Sequence, residues 1–252
     1  MNEQRFIGKV AVVTGGASGM GFLFGKRFVE EGGSVVLCDV NKEALDAKLQ
    51  ELNAPEKAIG CECDVREYGQ IKAACRAAKE TFGSLDVTLA AAGGAETRIF
   101  SKGAEFPDNP IEIYEWSLDV NLRGQLYLAH AALPFMREQR SGVIINVGSI
   151  TGEEGGGGHA VGYAAAKSGA MNGLTKSLGT YGAAYGVRCV CVSPGPVLTR
   201  PGMANMKTAI GRAAEPDEII DLMLYLASDK AAFITGVNYL IDGGRNVMFN
   251  KS

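Results

Sequence analysis

The 252-residue chain predicts a single α/β domain: a Rossmann-type, doubly wound parallel sheet with helices on both faces. Two observations carry that prediction. Short runs rich in Val, Ile and Leu alternate with longer stretches of helical periodicity throughout, the pattern of successive βαβ units. The first such run breaks into a cluster of glycines before the first helical stretch, the arrangement in which a helix N-terminus can hold a phosphate. Neither a linker nor an internal repeat interrupts the alternation, and α/β chains of this length are routinely one domain. The domain is therefore expected over 1–252, with a short tail at 245–252.

The elements follow in order. Strands are expected at 9–14, 34–39, 57–62, 85–90, 142–148, 187–193 and 237–241, each a run too short for a helix and rich in the apolar residues of a buried parallel strand. Between them, apolar residues recurring at three and four predict helices at about 20–31, 42–52, 67–82, 111–139, 161–185 and 215–228. Glycine and alanine cluster in 160–186, which suits a helix packed closely on the sheet or on a second subunit.

The run Lys9 to Thr14 ends in Gly15, Gly16, Ala17, Ser18, Gly19, Met20 and Gly21. Glycines there let the backbone turn tightly and approach a pyrophosphate, which the following helix N-terminus holds with free N–H groups. The spacing is T-G-x-x-x-G-x-G rather than G-x-G-x-x-G, so the common fingerprint does not apply. The second strand ends in Asp39, eighteen residues after Gly21, where a carboxylate can accept hydrogen bonds from both ribose hydroxyls of an adenosine. In NADP one of those hydroxyls carries a phosphate, and no Arg or Lys stands in 15–21 or directly after Asp39. The cofactor expected is NAD.

Tyr163 and Lys167, four apart on a helix, share one face, with Ser149 fourteen residues upstream of the tyrosine. Free tyrosine titrates near pH 10. A neighbouring ammonium favours the phenolate and brings it towards the range of a usable general acid or base. Ser149 would hold the substrate oxygen.

These features together resemble the classical short-chain dehydrogenase/reductase family, over about Lys9 to Gly244. Thr14-Gly15-x-x-x-Gly19-x-Gly21 resembles its cofactor loop, and Asp64-Val65 its adenine-contacting pair. Asn121 matches the asparagine that passes protons through a water to the lysine; Pro194-Gly195-Pro196-Val197-Leu198-Thr199 looks like the nicotinamide wall, and Thr235-Gly236 with Asp242-Gly243-Gly244 like the closing strand. The resemblance implies catalysis by Ser149, Tyr163, Lys167 and Asn121. It implies cofactor contacts from Gly15, Ser18, Gly19, Met20, Gly21, Asp39, Asp64, Val65, Gly93, Tyr163, Lys167, Pro194, Gly195, Val197 and Thr199. Two departures stand out. The family's Asn-Asn-Ala-Gly is here Ala90-Ala91-Ala92-Gly93, which removes two amides and is expected to bear on stability. The run Thr199 to Gly211 is short for the family's lid.

Substrate information is expected in the loop between Ser149 and Tyr163. Glu153, Glu154 and His159 flank the flexible Gly155 to Gly158 and could meet hydroxyls, an amine or a carboxylate, or simply be surface residues. Gly94, Glu154, His159, Leu198, Met203 and Met206 are the substrate candidates, with Val197, Leu198, Met203 and Met206 as an apolar wall. The expected activity is NAD-dependent interconversion of a secondary alcohol and a ketone, the alcohol being cyclic or hydroaromatic, a hydroxysteroid or a polyol. A family member using bound NAD for epimerisation or dehydration, or a non-catalytic NAD sensor, are the alternatives.

Net charge is −3 and no basic run exceeds two cations, so neither nucleic acid nor an acidic membrane surface is an expected partner. No stretch approaches 18 apolar residues, and the polar N-terminus reads as neither signal nor anchor. A cytoplasmic location is expected. Cys61 and Cys63, like Cys189 and Cys191, are two apart in strand-like runs, which suits reduced structural thiols; with two histidines in the chain, no metal is expected. Small apolar faces on 111–139 and 161–185 are hard to bury within one such domain, and the resemblance implies a homotetramer.

Overall fold

The computed structural model describes residues 4–100 and 106–248. Seven parallel strands form one sheet in the order β3-β2-β1-β4-β5-β6-β7. They are β1 (Val10–Thr14), β2 (Ser34–Asp39), β3 (Ala58–Glu62), β4 (Val87–Ala90), β5 (Gly142–Val147), β6 (Val187–Pro194) and β7 (Val237–Ile241). The order turns back between β1 and β4, so the connections leaving those two strands diverge and open a crevice at their C-terminal ends. Residues 249–252 of the expected tail lie outside the described residues.

The helices are α1 (Gly19–Glu30), α2 (Lys42–Leu52), α3 (Tyr68–Phe82), α4 (Glu96–Phe100), α5 (Ile111–Leu118), α6 (Gly124–Gln139), α7 (Thr151–Glu154), α8 (Val161–Gly169), α9 (Thr175–Ala183) and α10 (Pro216–Ala227). On one face Phe24 and Phe28 of α1, Leu45 of α2 and Ile219, Met223 and Leu226 of α10 bury against Val13, Leu37, Leu89 and Val190. On the other, Ile71 and Cys75 of α3 and Leu128 and Met136 of α6 bury against Val12, Val36 and Ile144. Both faces of the central strands are covered, which is why they read as unbroken apolar runs.

The strands and main helices fall within two residues of their sequence-predicted limits, with two instructive differences. The ladder of β4 starts at Val87, not 85, because the Asp86 carboxylate instead accepts the Val10 N–H at 2.9 Å. The stretches expected as single helices at 111–139 and 161–185 each contain a π-turn, at Asp119–Arg123 and Ala170–Leu174. A π-turn adds a residue to the helical turn and re-aims the side chains around it, and such turns favour functional positions.

All six cysteines are free thiols. Burial pushes Cys63 and Cys75 up to about 12, as for unreactive structural thiols. In the stretch 90–93, Ala90 faces Asn146 across the β4–β5 register, and the buried Asn146 Oδ1 has no hydrogen-bond partner among the described residues. No described helix is long and apolar enough to cross a membrane.

Candidate active site

The glycine loop is held by contacts that leave no room for side chains. A Cβ on Gly21 would lie 2.2 Å from the Gly15 carbonyl oxygen, and one on Gly15, whose φ is +68°, would lie 2.8 Å from the Ala92 nitrogen. The loop thus packs directly on the end of β4, where the Ala92 N–H donates to Thr14 Oγ1 at 3.3 Å. Helix α1 then starts at Ser18 with no side-chain cap, so its first N–H groups are free of side-chain acceptors and face a cavity of about 440 Å³. Gly15, Ser18, Gly19, Met20 and Gly21 line that cavity, together with Asp39, Asp64 and Val65.

Asp39 does more than end β2. Its carboxylate accepts the N–H of Ala17 in the glycine loop at 3.1 Å and that of Asn41 at 3.0 Å. Capping of α2 falls to Asn41, whose side chain accepts the Ala44 N–H at 2.9 Å. Asp64 is forked by Arg66, Oδ2 to Nη2 at 2.5 Å, and that guanidinium holds its carboxyl below the ordinary range.

A second cavity of about 350 Å³ lies alongside and shares Met20, Ala91, Gly93, Thr199 and Arg200 with the first, so the two form one cleft across the strand ends. Ser149, Tyr163, Lys167, Pro194, Gly195 and Val197 line it. Ser149 comes two residues after the end of β5, and its Oγ accepts the Thr151 N–H at 3.1 Å. Lys167 is 3% exposed. Its Nζ donates to the Val147 carbonyl oxygen at 2.8 Å and lies 5.6 Å from the centroid of the Tyr163 ring. Burial lowers this ammonium from 10.5 to about 8, within reach of proton exchange near neutrality.

Asn121 sits in the first π-turn, fully buried. Its Oδ1 accepts the Gly94 N–H and its Nδ2 donates to the Gly94 carbonyl oxygen, both at 3.0 Å. Its neighbour in space is Gly93: a Cβ there would lie 2.4 Å from Asn121 Oδ1 and 3.5 Å from Lys167 Nζ. Asparagine, glycine and lysine therefore lie close together.

The substrate candidates divide. Gly94, Met203 and Met206 line the cavity. Leu198, Glu154 and His159 are not among the residues that line it. Val197 is buried and bridges to Ala214, so the next residue of that extended stretch, Leu198, points out, with 36% exposed. Glu154 turns away to Arg245, with Oε2 3.2 Å from Nε and both side chains largely buried. His159 is exposed on a 3-10 turn, Gly157–His159, and Glu153 is exposed too.

Two residues not singled out from sequence belong to the site. Arg200 stands where the cavities join and donates to Met203 Sδ at 3.6 Å, a weak acceptor. Its signal was its place immediately after the Pro194–Thr199 segment. Glu96 is buried beneath Tyr163 and had no local signal. Among the described residues no group of three or more His, Cys, Asp or Glu side chains is placed to hold a metal.

Comparison with known proteins decides the family. A family profile described as "Enoyl-(Acyl carrier protein) reductase" matches residues 15–246. The chain is 35% identical to cis-4-hydroxycyclohexanecarboxylate dehydrogenase of Sinomonas cyclohexanicum, covering 96% of this chain and 98% of the relative.

The chain belongs to the short-chain dehydrogenase/reductase family.

Within that family it is also 32% identical to the 2-dehydro-3-deoxy-L-rhamnonate dehydrogenase (NAD(+)) of Sphingomonas sp. (strain SKA58), over 96% of each. Among solved structures, the short-chain dehydrogenase/reductase titled glucose/ribitol dehydrogenase from Brucella melitensis superposes with a TM-score of 0.85 at 27% identity, covering 96% of this chain and 98% of that one. The family's fold and its oxidoreductase chemistry are therefore those of this chain.

Proposed function

We propose that this short-chain dehydrogenase/reductase interconverts a cyclic secondary alcohol and its ketone with NAD as the hydride carrier. The observation that carries the reading is the buried Lys167 beside Tyr163 and Ser149, in a cavity continuous with one that ends at Asp39. The cleft fits a dinucleotide: a backbone cradle that a Cβ would fill, an uncapped helix N-terminus for a pyrophosphate, and a carboxylate beside that loop for ribose hydroxyls. NAD, when bound, supplies the hydride acceptor or donor.

The chain's own residues supply orientation and proton transfer. Ser149 Oγ holds the alcohol oxygen, and Tyr163 takes its proton as hydride leaves the carbon. Lys167, charged below about pH 8, stabilises the phenolate and binds the ribose. Asn121, clamped by Gly94, orders the route by which the proton leaves. Val197, Met203 and Met206 present an apolar wall to the substrate ring. The cyclic hydroxy acid in the name of the 35% identical relative supports a ring alcohol over an open-chain one.

Asp39 supports NAD over NADP. A 2′-phosphate roughly 5 Å from this carboxylate, at an effective dielectric near 20, costs about 3 kcal/mol per like-charge pair before screening. We further propose a homotetramer in the cytoplasm. Leu118 and Leu126 of the α5–α6 stretch and Val161 and Tyr181 of the α8–α9 stretch stay more than a third exposed, an unusual cost for a lone subunit. A spectrophotometric screen of secondary alcohols with NAD and with NADP tests the function. Formation of NADH from a ring alcohol supports it, and the absence of net reduction with every alcohol overturns it.

A further inference from the structure

Helix α8 begins without a side-chain cap of its own. Its N-cap residue is Ala160, which offers nothing to the first free N–H groups. The acceptor comes from far away in the chain. Glu96, first residue of α4, is 1% exposed. Its carboxylate accepts the backbone N–H of Gly162 at 2.9 Å and that of Tyr163 at 3.1 Å. The oxygen that takes the Tyr163 N–H also accepts the Ser117 hydroxyl, at 2.9 Å.

Ser117 leads to the second half of the proton route. Its carbonyl oxygen accepts Asn121 Nδ2 at 3.0 Å, and Gly94, two residues before Glu96, closes on the same amide from both sides. One short segment, 94–96, thus holds the backbone of Tyr163 at one end and the side chain of Asn121 at the other. The donors to Glu96 are two helix N–H groups and a hydroxyl, and the positive end of the α8 dipole adds to them. Together they compensate for burying a carboxylate.

We propose that Glu96 is a positioning residue for proton transfer: a side-chain cap, donated from the end of the β4 connection, that fixes the rotation of α8 and with it the Tyr163 phenol, in register with Asn121. The proposal rests on the dehydrogenase reading for its kinetic consequence and on geometry alone for its structural one. Tyr163 is the third residue of α8, so its backbone nitrogen is among the N–H groups most sensitive to a lost cap. A displacement of about 1 Å at a reacting group can reduce a rate by about 10². The pyrophosphate and adenosine contacts, set by the glycine loop and Asp39, lie off α8, and Lys167, further along it, is held separately by its bond to the Val147 carbonyl oxygen, so the cap is expected to act on Tyr163 more than on cofactor binding.

Glu96→Gln keeps the size but replaces one acceptor oxygen by a donor amide and removes the negative charge that faces the positive end of α8. The expected result is a kcat lower by about 10- to 100-fold, with Kd for NAD, measured by fluorescence titration, within twofold of the unaltered protein. Amide hydrogen exchange at Gly162 and Tyr163 should accelerate about tenfold, the equivalent of about 1.4 kcal/mol, with β1 and α1 unchanged. A merely stabilising role would lower thermal stability while leaving kcat within threefold at a temperature where the variant is folded, and that result overturns the proposal. So does unchanged exchange at both amides. If the unaltered protein oxidises no alcohol, the dehydrogenase reading has failed on its own account, and the exchange rates alone decide whether Glu96 caps the helix. Should Glu96→Gln not fold, Ser117→Ala, which keeps the carbonyl that holds Asn121 but removes one donor from the Glu96 carboxylate, is expected to lower kcat by about tenfold with NAD binding intact; a kcat within threefold of the unaltered protein there overturns the proposal.

Discussion

Replacing Lys167 by Met should make the folded protein more stable while abolishing its activity. Nζ is buried, and burial lowers its pKa from 10.5 to about 8. An amine lowered in this way opposes folding wherever it must be charged. Below about pH 8 both folded and unfolded chains hold the proton, and the native state bears the full penalty. Between about 8 and 10.5 the unfolded chain holds a proton that the native chain has released, so native stability rises with pH; above 10.5 both are neutral and the penalty is gone. The gap between those two values corresponds to roughly 3 kcal/mol. Met fills a similar volume, and Val147 O is not orphaned, because Gln125 Nε2 also donates to it at 3.0 Å. At pH 7, with cofactor removed and protein concentration fixed, Lys167→Met should therefore unfold about 5–10 °C higher. That advantage should shrink steadily from pH 8 and vanish near 10.5. A variant no more stable at pH 7, or one whose advantage is flat across that window, would refute the reasoning.

Two further outcomes follow. Asp39→Ala should raise KM for NAD for two reasons, the loss of a ribose acceptor and of the anchor for the Ala17 N–H. Combined with Val40→Arg it should reverse a preference for NAD over NADP of more than about a hundredfold in kcat/KM; steady-state kinetics with both cofactors checks this, and a wild type equally active with NADP refutes it. Ala90→Asn should place an amide donor opposite the unpartnered Asn146 Oδ1 and raise stability by about 1–2 kcal/mol, a rise of a few degrees in thermal unfolding. An unchanged or lower transition would show that the side chain does not reach or does not fit.

The sheet and its helices were legible in the sequence because each element carries its own signal. Val10–Thr14 is uniformly buried and apolar through Val13, and the break at Gly15 is forced by a positive φ and by contact with Ala92. Ser149, Tyr163, Lys167 and Asn121 were legible through ordered motifs; the fold brings the first three to one cleft and buries Asn121 against Gly93 at its wall. What escaped depends on partners distant in sequence. Glu154 looked like a pocket residue because the loop lies beside Ser149, yet its orientation is set by Arg245, 91 residues on. Glu96 caps N–H groups 66 and 67 residues away, and no local pattern announces such a contact. The two π-turns left the apolar period of 111–139 and 161–185 intact, so both read as plain helices.

The central claim is that Tyr163 transfers the proton while the rest of the cleft binds the cofactor. Tyr163→Phe, assayed with whichever ring alcohol gives NADH and titrated in parallel for NAD binding, tests it most directly. The expected result is a kcat lower by about 10² to 10⁴ with Kd for NAD within about twofold of the unaltered enzyme. A Tyr163→Phe enzyme that turns over within threefold of the unaltered one contradicts it.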